Sequence, residues 1–162
     1  MTEVRVLGGA QTDFGRNWTR EGVDLATALR EAVRDALDDA RIDASEIGVG
    51  HVGNFAGELF TGQGHLGGLL VEADPAFDGL PTSRHEAACA SGSVALLAAL
   101  ADLEAGRYET AIVVGVEVMR NVPGAVAAAN LGAAAWVPQE TDGVPMVWPK
   151  VFAELGDEYD RR

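Results

Sequence analysis

Cys89 is the residue with the clearest capacity for chemistry, and it is the single cysteine among 162 residues. It lies between a segment of strand character and a small, apolar helical pattern that begins at Ser91. A thiol at a helix N-terminus meets the positive end of the helix dipole and unpaired backbone N–H groups, which favour the thiolate and stabilise charge on an acyl oxygen. Such a setting suits a nucleophile for acyl transfer. Position alone nevertheless favours the alternative, a small buried hydrophobic residue, which is what most free cysteines are.

Two histidines and two glutamates are the other candidates for chemistry. His85 is four residues before Cys89, and roughly 13 Å separates such Cα atoms in a strand at ~3.3 Å per residue. His85 is therefore a poor direct base, and a structural or interface role is predicted for it. His65 is predicted to lie at a helix end with its hydrogen bonds satisfied, with approach to the site through folding as the alternative. Glu86 and Glu117 adjoin predicted strands, and structural hydrogen bonding is the prediction for both.

Composition excludes several function classes. The net charge of −13 argues against nonspecific nucleic-acid binding and against anionic membrane surfaces, which carry charge of the same sign. A single cysteine rules out an internal disulfide and a cysteine-based metal site, and no phosphate-loop signature is present. The sequence has neither a basic, apolar leader at its N-terminus nor a membrane-length apolar run, so a soluble, cytoplasmic protein without a metal or a separate cofactor is predicted.

Strand and helix patterns alternate along the chain and define the elements that must position Cys89. Helix 91–105 has almost no polar face, so it is predicted to be buried, and Ser91-Gly92 is expected to supply hydrogen bonds and close packing at its start. Alternation with short links predicts an α/β fold with right-handed crossovers. Strands are predicted at 4–7, 47–52, 82–88 and 110–116, and helices at 24–41, 62–72, 91–105 and 148–162.

Short motifs carry a resemblance to one enzyme family. They are Val6–Gly15, Val52-Gly53-Asn54, Gly57–Gly67, Glu86-Ala87-Ala88, Ala88-Cys89-Ala90-Ser91-Gly92 and Val114–Met119. In this order they resemble the thiolases, the acyl-CoA acetyltransferases that make or break 3-ketoacyl-CoA. The segment Gly57–Gly67 is similar to the branch that contains the sterol-carrier-protein-linked and archaeal-type enzymes.

The resemblance implies a fold and a reaction. The fold would be the N-terminal half of a thiolase: a mixed, mainly parallel sheet flanked by helices, with a buried helix bearing the nucleophile. The Cys89 thiolate would attack an acyl-CoA thioester, with the Cys89 backbone N–H forming part of the oxyanion hole. Coenzyme A thioesters would be substrates. Residues 1–119 would form the thiolase-like domain, and residues 120–162 would begin an inserted loop or cap region.

The family's later motifs are absent from these residues, which implies an incomplete catalytic apparatus. An Asn-Glu-Ala-Phe segment, a Gly-His-Pro histidine and a second Cys-x-Gly cysteine are missing, so the chain alone is expected to turn over poorly or not at all. The resemblance also implies a homodimer or tetramer and a small partner with an OB-like fold. Two alternatives stay open at this point: a noncatalytic half-fold kept for assembly, and a fragment of a ketoacyl-synthase-type condensing enzyme.

Overall fold

The structure is a computed structural model that describes residues 3–135. One compact unit ends at Val118, and residues from Met119 onward belong to a second, which contributes helix α6 (Gly124–Gly132). The predicted helix over 148–162 lies outside the described residues. The first unit contains strands β1 (Val49–Gly53), β2 (Thr82–His85) and β3 (Ala111–Gly115), and helices α1 (Trp18–Glu21), α2 (Leu25–Ala40), α3 (Gly57–Thr61), α4 (Leu66–Leu69) and α5 (Ser91–Glu104).

The described strands form a parallel sheet in the order β2-β1-β3, so the predicted α/β class is confirmed. Strand β1 is central and every one of its residues is buried, as expected for a parallel strand covered on both faces. His51 in β1 is opposite Ser83 in β2 and Val113 in β3. This register places the ends of β1 and β2 side by side, where the motif residues follow.

Helix α2 is the best-predicted element, because its apolar residues recur at helical spacing. Asp24 caps it by accepting a 2.7 Å hydrogen bond from the Thr27 N–H. The buried face of α2 packs into the main core of the unit. The core residues are Leu25, Leu29, Val33, Ala44, Val52, Leu66, Leu70, Phe77, Ile112 and Val114.

The predicted strand over 4–7 is wrong for the described structure. These residues form no strand, and Val6 is 88% exposed. The segment lies along an apolar groove of about 840 Å³, whose other walls come from α2, α5 and β3. A strand needs a neighbour for its backbone hydrogen bonds, and no described strand pairs with this segment.

Two other predicted elements have different boundaries. Strand 82–88 ends at His85, and Ala88–Ala90 forms a 3₁₀ turn. The predicted helix over 62–72 begins only at Leu66, because Gly62 and His65 both have positive φ, and it continues as a 3₁₀ turn from Leu70.

Helix α5 is only half buried, so the prediction of a fully buried helix is wrong for the described chain. Its inner face is made of Ser91, Ala95 and Ala99. Leu97 on the outer face is 64% exposed, because no described layer covers that side. The helix ends at Glu104 with Ala105 as its C-cap, so Gly106, the predicted cap, is one residue further on and has a φ of +68°. None of the described helices is long and apolar enough to cross a membrane.

Candidate active site

Cys89 is exposed in the 3₁₀ turn that leads directly into α5. The alternative of a small buried hydrophobic residue is therefore wrong. The 14-residue helix that follows is long enough to have a substantial dipole, and its positive end is adjacent to the thiol. The local structure thus gives Cys89 solvent access next to the start of a helix.

The residue before the cysteine has a strained backbone. Ala88 has a φ of +48°, a region that residues with a Cβ rarely adopt. The Glu86 carboxylate accepts a 2.6 Å hydrogen bond from the Ala88 N–H, and the Ala90 N–H donates to the Ala87 carbonyl at 2.9 Å. Such strain persists only where surrounding contacts impose it, and these contacts hold Cys89 at the tip of the turn.

Ser91 closes the same turn from the helix side. Its buried hydroxyl accepts a 2.9 Å hydrogen bond from the Ala87 N–H and donates a 2.7 Å hydrogen bond to the Ala88 carbonyl. The predicted role of Ser91 in hydrogen bonding at the helix start is confirmed. Because the hydroxyl both donates and accepts, it fixes the Glu86–Ala87 and Ala88–Cys89 peptide groups, which lie on either side of the Ala87–Ala88 peptide.

The first turn of α5 lies directly on the end of β1. A Cβ atom added to Gly53 would be 2.7 Å from the Gly92 Cα, a distance that real Cβ atoms essentially never show. A Cβ added to Gly92 would meet no atom within 4 Å outside the backbone of its own helix. The start of α5 therefore packs closely on β1 at Gly92, and Gly53 is the residue that requires it, while close packing of Ser91-Gly92 beneath an acyl group stays a prediction.

The loop after β1 supports this arrangement from the neighbouring strand end. Asn54 is buried, donates a 2.7 Å hydrogen bond to the Val116 carbonyl and accepts a 3.0 Å hydrogen bond from the Gly57 N–H. Glu117 accepts a 2.9 Å hydrogen bond from the Phe55 N–H. Structural hydrogen bonding, predicted for both Glu86 and Glu117, is thereby confirmed.

Arg84 in β2 ties that loop to the strand that leads to Cys89. Its guanidinium donates a 2.9 Å hydrogen bond to the Phe55 carbonyl and contacts the Glu58 carboxylate closely. The Arg84 hydrogen bond lowers the pKa of the Glu58 carboxyl below its usual range. The two strand ends are therefore linked by charge as well as by backbone pairing.

The two histidines that the sequence singled out have different surroundings. His65 precedes α4 with a φ of +55° but makes no capping hydrogen bond, so the prediction of a satisfied helix-end histidine is only half right. Its ring lies over Gly68, where an added Cβ would be 2.3 Å from the His65 Nε2. His85 contacts His51 and Ser83, which confirms its predicted structural role.

His51 is a buried polar residue that sequence reasoning missed. It is 3% exposed, and its Nδ1 lies 3.0 Å from the His85 Nε2. Burial lowers the pKa of His51, and the neighbouring His85 lowers it further, while Asp102 raises it. The available signal was a histidine inside a strand that must be covered on both faces. In the described part of the chain, no group of three or more metal-ligating side chains is placed to hold a metal ion.

Comparison with known proteins places the chain in a family. The profile described as "Thiolase, N-terminal domain" matches residues 4–149. The chain is 33% identical over 160 residues to an acetyl-CoA acetyltransferase of Methanocaldococcus jannaschii, covering 98% of this chain and 39% of that protein. It is 34% identical over 122 residues to an acetyl-CoA acetyltransferase of Methanothermobacter thermautotrophicus, covering 75% of this chain and 31% of that protein.

A third relative is the "Non-specific lipid-transfer protein-like 2" of Caenorhabditis elegans, 30% identical over 124 residues, or 76% of this chain and 28% of that protein. The chain thus spans at most 39% of the length of these three relatives. The matched profile covers both the turn that holds Cys89 and the loop after β1. The chain belongs to the thiolase family and corresponds to its N-terminal domain.

Proposed function

We propose that this chain is the nucleophile-bearing part of a thiolase-type acyltransferase, with Cys89 as the residue that accepts the acyl group. The observation that carries the proposal is the exposed thiol on a strained turn at the start of α5. Two relatives named acetyl-CoA acetyltransferases support coenzyme A thioesters as its substrates. The reaction would need no cofactor beyond the coenzyme A of the substrate.

The acylation step follows from the position of the thiol. The Cys89 thiolate attacks the thioester carbonyl, a new S–C bond forms, and the carbon–sulfur bond to coenzyme A breaks. Coenzyme A leaves as a thiolate and takes up a proton. The backbone N–H of Cys89 and the positive end of the α5 dipole would stabilise the negative charge on the carbonyl oxygen during attack.

Completion of the cycle requires groups beyond this chain. The acyl group would pass to coenzyme A or to the enolate of a second acyl-CoA, and either transfer needs acid–base residues. His85 makes contacts within the sheet region, and His65 lies at the start of α4. We propose that the protein's remaining catalytic groups come from sequence outside these 162 residues, so the chain alone turns over poorly.

We also propose a domain organisation, an oligomeric state and a partner for this protein. Residues 1–119 would act as the thiolase-like domain, and residues 120–162 would begin an inserted cap region. Strand β2 is at the edge of the described sheet, which supports assembly into a homodimer or tetramer. The branch resemblance supports an OB-fold partner, and the absence of membrane-length helices among the described residues is consistent with a cytoplasmic role in lipid metabolism.

The test is the mass of the intact protein after mixing with acetyl-CoA or a longer acyl-CoA. We expect one acyl group per chain, located on Cys89 by peptide mapping and removed by added coenzyme A. Cys89→Ser keeps the size of the side chain and should not exchange its acyl group in this way, and Cys89→Ala should remain unmodified. The protein should be expressed with every residue that its gene encodes. Absence of an acyl group on a folded protein with a free thiol would contradict the proposal and favour a noncatalytic assembly role.

A further inference from the structure

A partly buried polar cluster lies beneath α5, away from the turn that holds Cys89. The histidine cluster consists of His51 from β1, Ser83 and His85 from β2, and Asp102 from α5. The Ser83 Oγ lies 3.2 Å from the His51 Nδ1 and 2.9 Å from the His85 Nε2, and the two ring nitrogens are 3.0 Å apart. Three polar atoms are therefore within hydrogen-bond distance of one another in a mostly apolar unit.

The other side of His51 faces helix α5. Its Nε2 lies 3.4 Å from the Asp102 Oδ2 without hydrogen-bond geometry, and it has no other hydrogen-bond partner in the described structure. Arg107 contacts the other Asp102 oxygen at 3.3 Å. The remaining elements packed on β1 add no charge here, since β3 presents Val113 at the paired position and α4 has no titratable residue.

The hydrogen-bond arrangement limits how many protons the cluster can hold. The Asp102 carboxylate favours a proton on the His51 Nε2, which leaves Nδ1 to accept a hydrogen bond. Only one proton can lie between the two ring nitrogens at 3.0 Å. If both rings are protonated, two N–H donors and two positive charges face each other, and this contact becomes repulsive.

The cluster is one of the contacts that orient α5 on the sheet. His51 and Gly53 are two residues apart in the strand, so they lie on the same face of the sheet. Gly53 meets the first turn of α5 at Gly92, and His51 meets the last turns at Asp102, with the buried Ala95 and Ala99 between them. A change at either end of this contact line tilts the helix axis, and Cys89 immediately precedes the helix.

We infer that the histidine cluster is a pH-sensitive positioning device, which orients α5 and with it Cys89 only while at most one of its histidines is charged. The inference rests on the proposed role of Cys89. His51, His85 and Asp102 are positioning residues that act through the helix. The device predicts a loss of Cys89 reactivity in acid that exceeds the loss caused by protonation of the thiol itself.

The direction of the pH effect follows from burial. The pKa of His51 is lowered in the folded protein, chiefly by burial, so the unfolded chain binds this proton more readily. The free energy of unfolding therefore receives its full contribution from this group above about pH 6.5, the ordinary histidine pKa. The contribution is lost progressively as the pH falls below that value, through the lower pKa of the folded state.

The test compares the rate at which iodoacetamide alkylates Cys89 in the wild-type protein and in His85→Gln between pH 5 and 8. The glutamine amide can donate a hydrogen bond to the neutral His51 Nδ1 or accept one from the protonated ring, but it does not titrate. The ratio of the His85→Gln rate to the wild-type rate should be near one at pH 8. It should rise as the pH falls and reach about threefold at the acid end of the range, the scale of a single helix-dipole interaction.

The matched control is His65→Asn, which removes the only histidine outside the cluster. Asparagine tolerates the positive φ at this position, and the rate ratio to wild type should stay near one at every pH. A His85→Gln ratio that is constant across the pH range would overturn the inference, because a purely structural loss has no reason to follow histidine titration. The readout uses no acyl-CoA, so it is separate from failure of the acylation proposal.

A second measurement needs no variant and keeps the inference testable if His85→Gln fails to fold. Nitrogen-15 NMR of the wild-type imidazoles should show that His51 binds its proton only below pH 6.5 and that this step changes the signals of the His85 ring, which is its hydrogen-bond neighbour. A His51 proton bound above pH 6.5, or protonation of His51 without any change at His85, would contradict the cluster as described.

Discussion

The loops that follow β1 and β2 lie at neighbouring strand ends but are built for different purposes. The loop after β1 is pinned by the buried Asn54 side chain and the Glu117 carboxylate. The loop after β2 exposes Cys89 and has a residue of positive φ, Ala88, immediately before it. The polar groups that hold the first loop are buried, so the first loop is expected to contribute mainly to stability. The second loop has a strained backbone and an exposed thiol. Substitutions in the two loops should therefore have different effects on stability and on the reactivity of Cys89.

The largest effect is expected when the supporting loop is broken at Asn54. Asn54→Ala removes two hydrogen bonds and leaves the Val116 carbonyl and the Gly57 N–H without this partner in a buried site. The free energy of unfolding should fall by about 2–4 kcal/mol, measured by urea denaturation. Asn17→Ala, which removes an exposed helix cap, should cost only about 1 kcal/mol. Equal losses of unfolding free energy in Asn54→Ala and Asn17→Ala would contradict the account, because the buried hydrogen bonds of Asn54 would then support the loop after β1 no more than an exposed cap supports its helix.

Gly53 joins the two loops, because the first turn of α5 lies on it. Gly53→Ala places a Cβ atom 2.7–2.9 Å from the backbone of Ser91 and Gly92, so α5 must shift. We expect a loss of about 1–3 kcal/mol in the free energy of unfolding and slower alkylation of Cys89.

Gly92→Ala is the matched control for this contact. The added Cβ meets no atom within 4 Å, so stability should be maintained or improve by up to about 1 kcal/mol from helix propensity. If Gly53→Ala behaves like Gly92→Ala, the close approach of α5 to β1 is not required.

Strain at Ala88 can be released without removing a contact. Ala88→Gly should stabilise the protein by about 1 kcal/mol in urea denaturation, since glycine adopts a φ of +48° at little steric cost. Ala90→Gly, at a φ of −96°, should instead destabilise it slightly. A loss of stability in Ala88→Gly would mean that the turn is not strained.

The smallest effect is expected at Glu86, whose carboxylate accepts the Ala88 N–H at the surface. Glu86→Gln keeps an acceptor oxygen but removes the charge that strengthens the bond, so the cost should be about 0.5–1 kcal/mol. Glu3→Gln, in an exposed ion pair with Arg5, should change the free energy of unfolding by less than about 0.5 kcal/mol. A larger loss for Glu3→Gln than for Glu86→Gln would show that the turn does not depend on this carboxylate.

The sequence predicts the parts of this structure that depend on local pattern. Helix α2 follows from its apolar spacing and from the cap at Asp24, and the position of Cys89 between a strand and helix α5 follows from the change of pattern there, although the 3₁₀ turn between them was not predicted. Pairing between distant residues is harder, because the contact between His51 and His85 depends on the register of β1 against β2. A one-residue change of register would move the two rings to opposite faces.

Two failures of prediction have a common physical cause. The apolar segment 4–7 and the outer face of α5 were expected to be paired and buried, yet Val6 and Leu97 are exposed. The hydrophobic pattern of a segment shows which of its faces can be buried. It does not show whether the residues that would cover that face lie within the same 162 residues. This chain spans at most 39% of the three relatives described above.

The most direct measurement compares the alkylation rate of Cys89 by iodoacetamide at pH 7 in the folded protein and in the same protein unfolded in urea. The thiol is exposed in the folded structure, so access differs little between the two states. We expect the folded protein to react at least about threefold faster, because the proposed nucleophile lies beside the positive end of a helix dipole that exists only when α5 is formed. A folded protein that reacts at the unfolded rate or more slowly would contradict Cys89 as an activated nucleophile.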